Sequence, residues 1–326
     1  MFLHRWLSCA ALALLVSTSA WAAAPYPAQP VRVIVPFAPG GNIDVATRLL
    51  ASKLAERLGQ PFIVENRPGA GGAIGAEAVA RAQPDGYTLL SGSNGLLAVN
   101  PAVNPSLSYD PLTSFAPVAF LSRVPLALVV SAKLPVHDLE ELKAYAAKSG
   151  KGISIGSSGA GGAQHLAIVE FASKADIPFV HVPYRGGSAI LPDLIAGNVD
   201  AALNELPNVL PNHRDGKLRI IAIASDQRSA LLPDVPTLRE AGLADFTAYS
   251  SNGWLAPAGT PAAVIQQLNQ ALVQALADTA VHARLEEMGL VVTPPADAGA
   301  QAYRTLMERD LANAREIAAK HQIRAN

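Results

Sequence analysis

Four loops rich in glycine and serine carry the residues best suited to chemistry. They are Pro36-Phe37-Ala38-Pro39-Gly40-Gly41-Asn42-Ile43-Asp44, Pro68-Gly69-Ala70-Gly71-Gly72-Ala73-Ile74-Gly75, Gly156-Ser157-Ser158-Gly159-Ala160-Gly161-Gly162 and Tyr184-Arg185-Gly186-Gly187-Ser188. Each follows a strand-like run, and three open straight into a helical pattern. A helix N-terminus has unpaired N–H groups and a partial positive charge. Glycine lets a ligand approach that backbone with no Cβ in the way. Ser91, Ser93, Asn94, Ser157 and Ser158 add neutral donors. The chemistry such a set suits is binding an anion, because a desolvated carboxylate is costly unless richly hydrogen-bonded. Each helix end contributes about 0.3–1 kcal/mol to that. Any one loop also reads as a tight turn, but loops in both halves of the chain favour ligand contact.

Catalytic signatures fail at the same places. There is no G-x-x-x-x-G-K-[ST], and Gly69-Ala70-Gly71-Gly72-Ala73-Ile74 lacks the last small residue of a dinucleotide fingerprint. Ala160 stands where a nucleophile elbow needs glycine. The seven histidines have no metal-ligand spacing, and the single cysteine, Cys9, lies in the leader. The expectation is no catalytic residue, no metal and no cofactor. A Ser158–His165 nucleophile pair is the competing reading; a capping or ligand-shell His165 explains the same placement without catalysis. Asp44, in the first turn of its helix, either ties down the loop or contacts ligand. Arg67 and Arg185 read as ion-pair formers, with Arg185 also able to meet a second carboxylate.

The elements that position these loops alternate. Strands are expected at Val31 to Val35, Phe62 to Val64, Tyr87 to Leu90, Ile153 to Ile155, Phe179 to Val182 and Val199 to Leu203. Helices are expected at Ile43 to Leu58, Ala73 to Arg81, Ala163 to Ala175 and Ala189 to Ala196. In the first helix Ile43, Ala46, Leu50, Leu54 and Leu58 make one apolar face. Such alternation implies parallel sheets covered by helices. Two sets of it imply two α/β lobes, joined by extended segments at Ala116 to Val130 and Phe246 to Pro257. The C-terminal helices, Pro261 to Asp278, Ala280 to Met288 and Ala298 to His321, then return to the first lobe.

Arg5, an apolar run from Trp6 to Val16 and Ala20-Trp21-Ala22 read as a secretory leader cleaved after about Ala22. The run is shorter than the roughly 20 residues that span a bilayer. The mature chain therefore has no cysteine and must rely on its core; about half of its residues are apolar. With Arg5 in the leader, 24 of the 25 lysines and arginines remain to face 26 acidic residues without a basic run, which argues against nucleic acid or an anionic membrane as partner.

The loops together make the sequence recognisable. With Val64-Glu65-Asn66-Arg67, Pro84-Asp85-Gly86-Tyr87-Thr88-Leu89, Val182-Pro183-Tyr184-Arg185-Gly186-Gly187, Leu232-Pro233-Asp234-Val235-Pro236-Thr237 and Ala256-Pro257-Ala258-Gly259-Thr260-Pro261, the chain resembles the Bug family, the TctC-type receptors of tripartite tricarboxylate transporters. The resemblance covers nearly the whole mature chain. It implies an α/β, two-lobed periplasmic binding protein of type II (Venus-flytrap), with a mainly parallel sheet in each lobe and two hinge crossings. The divisions expected are 1–22 for the leader, 23–124 plus 248–326 for one lobe and 125–247 for the other. The function implied is that of a monomeric periplasmic receptor, without catalysis, that delivers a small carboxylate to integral membrane transporter subunits. A sensor of the same fold and a Ser158–His165 hydrolase are the rivals. The site implied comprises Phe37, Ala38, Gly40, Gly41, Asp44, Ser91, Ser93, Asn94, Ser157, Ser158, Gly159, His165, Tyr184 and Asn204. The carboxylate clamp falls on Ala38, Gly40 and Gly41 from one lobe and Ser157, Ser158 and Gly159 from the other. Where relatives often carry aspartate, this chain has Asn204, followed by Glu205.

Overall fold

The computed structural model describes residues 26–324; the leader expected at 1–22 lies outside them. The chain opens with β1 (Val31–Val35), α1 (Asn42–Leu58), β2 (Phe62–Asn66), α2 (Ala73–Ala80) and β3 (Thr88–Gly92). β1 pairs in parallel with β2 and with β3. A π-helical turn at Gly95–Val99 runs into α3 (Asn100–Val103) and leads to a 17-residue strand, β4 (Phe115–Ser131). The second run is α4 (Leu139–Lys148), β5 (Ile153–Ser157), α5 (Ala163–Ala175), β6 (Phe179–Pro183), α6 (Leu191–Ala196), β7 (Ala201–Glu205), α7 (Leu206–Arg214) and β8 (Leu218–Ile223). β9 (Tyr249–Pro257), α8 (Ala262–Leu276), α9 (Thr279–Glu287), β10 (Val291–Val292) and α10 (Ala300–Lys320) complete it.

The long strand β4 explains how two lobes share one chain. Its first part, through Pro125, pairs antiparallel with β9; from Leu126 onward it pairs with β7 and β8. The strand order is β2-β1-β3-β9-β4-β7-β5-β6, with β8 and β10 attached to β4. Each lobe thus holds a parallel triplet made by strand–helix–strand crossovers, β2-β1-β3 and β6-β5-β7. The expected parallel sheets are extended by antiparallel ladders, because β4 and β9 run between the lobes in opposite directions.

Both faces of each sheet are covered. In β1, Val31 and Val33 pack with Leu50 and Leu54 of α1 and Leu272 of α8, while Ile34 points to the other face against Ala76, Leu97 and Met307. In β4, Leu126, Leu128 and Val130 join Phe171 of α5, and Ala127 and Val129 join Leu194 and Val209. That two-residue alternation is the pleat seen from both sides, and both of its faces are apolar, as buried sheets require. The C-terminal helices return to the first lobe as expected. α10 goes further: Leu311, Ala314 and Ala318 share an apolar cluster with Leu166 of α5, across to the second lobe.

Differences from the expected elements have local causes. The last crossover helix begins as a 3₁₀ turn at Gly187–Ile190, and β7 lies two residues later than expected. α7, which is not among the expected helices, carries Pro207 and Pro211; Pro207 lies in the first turn, where a missing N–H costs little.

Candidate functional site

The carboxyl ends of the parallel strands in the two lobes are brought together by contacts between the lobes. Asn42, the first residue of α1, donates through Nδ2 to the Glu205 carboxylate at the end of β7, 2.8 Å away. A Cβ on Gly95, after β3, would lie 3.7 Å from the Ala163 Cβ at the start of α5. These contacts set the carboxyl ends of the two triplets face to face, where open α/β sheets hold ligands.

In the first lobe, β1 feeds a loop whose exposed tip carries Ala38, Gly40 and Gly41, with Phe37 half-buried behind it. Gly40 has φ +85°, a conformation that side chains avoid. Asp44 fixes this turn. It is buried, and its carboxylate accepts from Gly40 N at 2.9 Å, Arg48 Nε at 3.1 Å and Asn66 Nδ2 at 2.9 Å. Burial alone would raise its pKa, yet the bonds from Arg48, Gly40 and Asn66 outweigh it and hold the group below the usual carboxylate range. Of the two roles considered for Asp44, the geometry displays the loop tie.

Ser91, Ser93 and Asn94 are engaged inside the lobe. The Ser91 hydroxyl is 2.7 Å from Thr47 Oγ1 and 3.1 Å from Asn252 Oδ1. Ser93 Oγ accepts from Leu96 N, and Asn94 bonds to Tyr249 O, Ser251 N and Gly95 N. The second glycine loop is a packing joint: a Cβ on Gly75 would meet Pro36 at 2.8 Å and the Arg67 carbonyl at 3.0 Å. Arg67 pairs with Glu65 at 2.8 Å, as expected of an ion-pair former. Arg185 is exposed and has no ion-pair partner among the described residues, so the reading of it as a structural ion-pair former is corrected.

In the second lobe, the loop after β5 is held from below by two histidines. Ser157 is fully buried; its Oγ lies 2.6 Å from His181 Nε2 and accepts from Gly159 N at 3.2 Å. His165 Nδ1 accepts from Gly161 N at 3.0 Å, and Gln164 Oε1 accepts from Ser158 N at 3.0 Å. The two imidazoles stack, centroids 3.7 Å apart and planes 4° off parallel. Burial, and for His165 also the neighbouring His181, lowers both pKa values, that of His165 to about 4. The His165 Nδ1 is occupied by backbone and makes no bond to Ser158, so the arrangement is a cap rather than a nucleophile–base pair. The half-exposed Ser158 hydroxyl makes no hydrogen bond among the described residues, unlike its neighbour Ser157.

Tyr184 packs under the same loop and donates to Asp193 Oδ2 at 2.7 Å. Asn204 is fully buried and knits three segments: Nδ2 donates to Gly187 O at 2.8 Å, while Oδ1 accepts from Glu205 N and Asn208 Nδ2. An aspartate could not make the first bond. Sequence reasoning passed over Asn42, His181 and Glu205 as site residues. His181 looked like an ordinary strand position, and Asn42 and Glu205 become related only once the lobes are folded together. No group of three potential metal-binding side chains occurs among the described residues.

Two α/β lobes joined by crossing strands, with glycine-rich strand ends facing across a cleft, define a periplasmic binding protein fold. The comparisons then fix the lineage. Residues 46–323 match the model of the tripartite tricarboxylate transporter family receptors. Protein BugT of Bordetella pertussis is 38% identical over 273 residues, covering 82% of this chain and 84% of that one. MatC of Rhodopseudomonas palustris, solved with bound malate, superposes with a TM-score of 0.79 at 34% identity over 90% of this chain and 99% of its own. Rpa4515 of R. palustris, solved with adipate, gives 0.82 at 32% identity over 92% and 99%. The chain belongs to the tripartite tricarboxylate transporter receptor family, whose members are periplasmic solute-binding proteins.

Proposed function

We propose that this protein captures a small organic carboxylate between its lobes and presents the closed complex to integral membrane transporter subunits, acting as a monomer without catalysis. The clamp comprises the backbone of Ala38, Gly40 and Gly41 from the first lobe and Ser157, Ser158 and Gly159 from the second. Phe37 and Tyr184 wall it, and Asp44, His165 and Asn204 hold its loops in place. Ser91, Ser93 and Asn94 brace the neighbouring strand end. The hinge falls at residues 124–125 and 247–248, giving lobes of 23–124 plus 248–326 and 125–247, after removal of a leader ending near Ala22.

What supports this reading is a pair of glycine loops, one at a strand end of each lobe and free of charged side chains at their tips, with the Asn42–Glu205 bond joining the two lobes beside them. Neutral donors split between two lobes bind a carboxylate better closed than open, and that difference in affinity is what drives closure. The malate and adipate held by two relatives are carboxylates of the same size class. The test is calorimetric titration with a panel of small mono-, di- and tricarboxylates. Saturable binding of at least one acid, recovered chemically unchanged, supports a receptor. Binding of none, or recovery of a hydrolysed product, refutes it.

A further inference from the structure

Glu205 is the N-cap residue of α7, yet its side chain makes no capping bond to that helix. It reaches instead toward the first lobe and takes hydrogen bonds from Asn42, the residue next to Gly41 of the proposed clamp, and from Ser250. No basic side chain pairs with it among the described residues; Arg48, on the same helix as Asn42, is committed to Asp44 and Asn66. Burial pushes its pKa up against the hydrogen bonds from Ser250 and Asn42. The adjoining Asn204 is neutral, and its amide nitrogen and oxygen both have protein partners. One carboxyl group therefore lies where the lobes meet, beside the proposed clamp, and its two oxygens have acceptor capacity beyond the bonds from Asn42 and Ser250.

We propose that Glu205 sets ligand specificity by accepting from an ammonium or similar cationic donor at the far end of the bound acid, and by disfavouring ligands with a second carboxylate there. This rests on the carboxylate-clamp reading above. A buried carboxylate without a cation is costly, and a ligand cation supplies what the protein omits. A second carboxylate against it places like charges in one desolvated site, so one of the two must take up a proton. The ligand class is thus an amino acid or another amine-bearing monocarboxylate, in contrast to the dicarboxylates found in the two relatives.

The test is calorimetry of the mature protein, at mildly alkaline pH, with three series of matched carbon number: ω-amino acids, plain monocarboxylates and α,ω-dicarboxylates. In the wild type the best amino acid binds at least about tenfold tighter than its dicarboxylate partner. In Glu205→Gln, which keeps an acceptor for Asn42, that ratio falls to near one. A wild-type ratio of one or below overturns the proposal, as does a ratio unchanged in Glu205→Gln. If that variant fails to fold, the wild-type ratio alone decides. Equal binding of all three series sinks the role of Glu205 and leaves the clamp standing; no binding by any series sinks both.

Discussion

His165 and His181 lie ring on ring, 3.7 Å between centroids, one holding Gly161 N and the other touching Ser157 Oγ. The loop proposed to grip the ligand is therefore built on a pair of neutral imidazoles. Protonating either places a cation against the other ring, and the pair loses its geometry.

The pH dependence follows from the direction of the shifts. The His165 pKa falls from an ordinary 6.5 to about 4, and that of His181 is also lowered. Below 6.5 the unfolded chain binds protons that the folded one refuses, so stability rises with pH in this window. The contribution is complete above about pH 6.5 and is lost as pH falls toward 4. Melting temperatures measured across that range should fall more steeply for the wild type than for His165→Asn, and parallel curves would show that the stack does not govern the titration.

Asp44→Asn should destabilise the fold by about 1–3 kcal/mol, because an amide cannot accept all the bonds from Gly40, Arg48 and Asn66 that the carboxylate takes. Urea unfolding gives the number. The variant should also bind ligand more weakly, since Gly40 loses its anchor.

Asn204→Asp tests whether the departure from the usual aspartate is structural here. The carboxylate would oppose the Gly187 carbonyl that now receives a hydrogen bond. A loss of about 1–3 kcal/mol is expected for the unsatisfied buried group. Unfolding at the wild-type midpoint would show that the loop rearranges freely. Gly187→Ala should have a related effect, as its Cβ would come within 2.7 Å of Asn204 Oδ1.

Leu166→Ser should loosen the contact between lobes. Leu166 is buried with Leu311, Ala314 and Val99 in an apolar cluster shared by the lobes, so its loss removes apolar area buried between them. Small-angle scattering should report a larger radius of gyration in the ligand-free variant, with a curve identical to wild type counting against the contact.

Much of the fold was legible in the residues that obey a simple period. Val31 to Val35 and Ala163 to Ala175 fall where strand and helix patterns place them, and the extended segments near Ala116 and Phe246 became the crossing strands. The mixed pairing was not legible, because direction is set by which strands meet at β4. For the site, the loops were visible as glycine clusters, but the commitments of individual side chains were not. Ser157 and Ser158 are alike in sequence; only the fold turns one onto His181 and leaves the other at the cleft. The Asn42–Glu205 contact joins residues 163 positions apart, beyond the reach of any local pattern.

The most direct test of a clamp shared between lobes is the affinity of one cognate carboxylate for two variants, Gly41→Leu and Ser158→Ala. Gly41 has φ −74°, and its nearest neighbour to an added Cβ is Ala38 O at 3.8 Å, so the fold admits a side chain at this exposed position of the proposed clamp. The account predicts an unchanged melting temperature with a loss of about tenfold or more for Gly41→Leu, and a smaller but clear loss for Ser158→Ala. Wild-type affinity in either variant would contradict it.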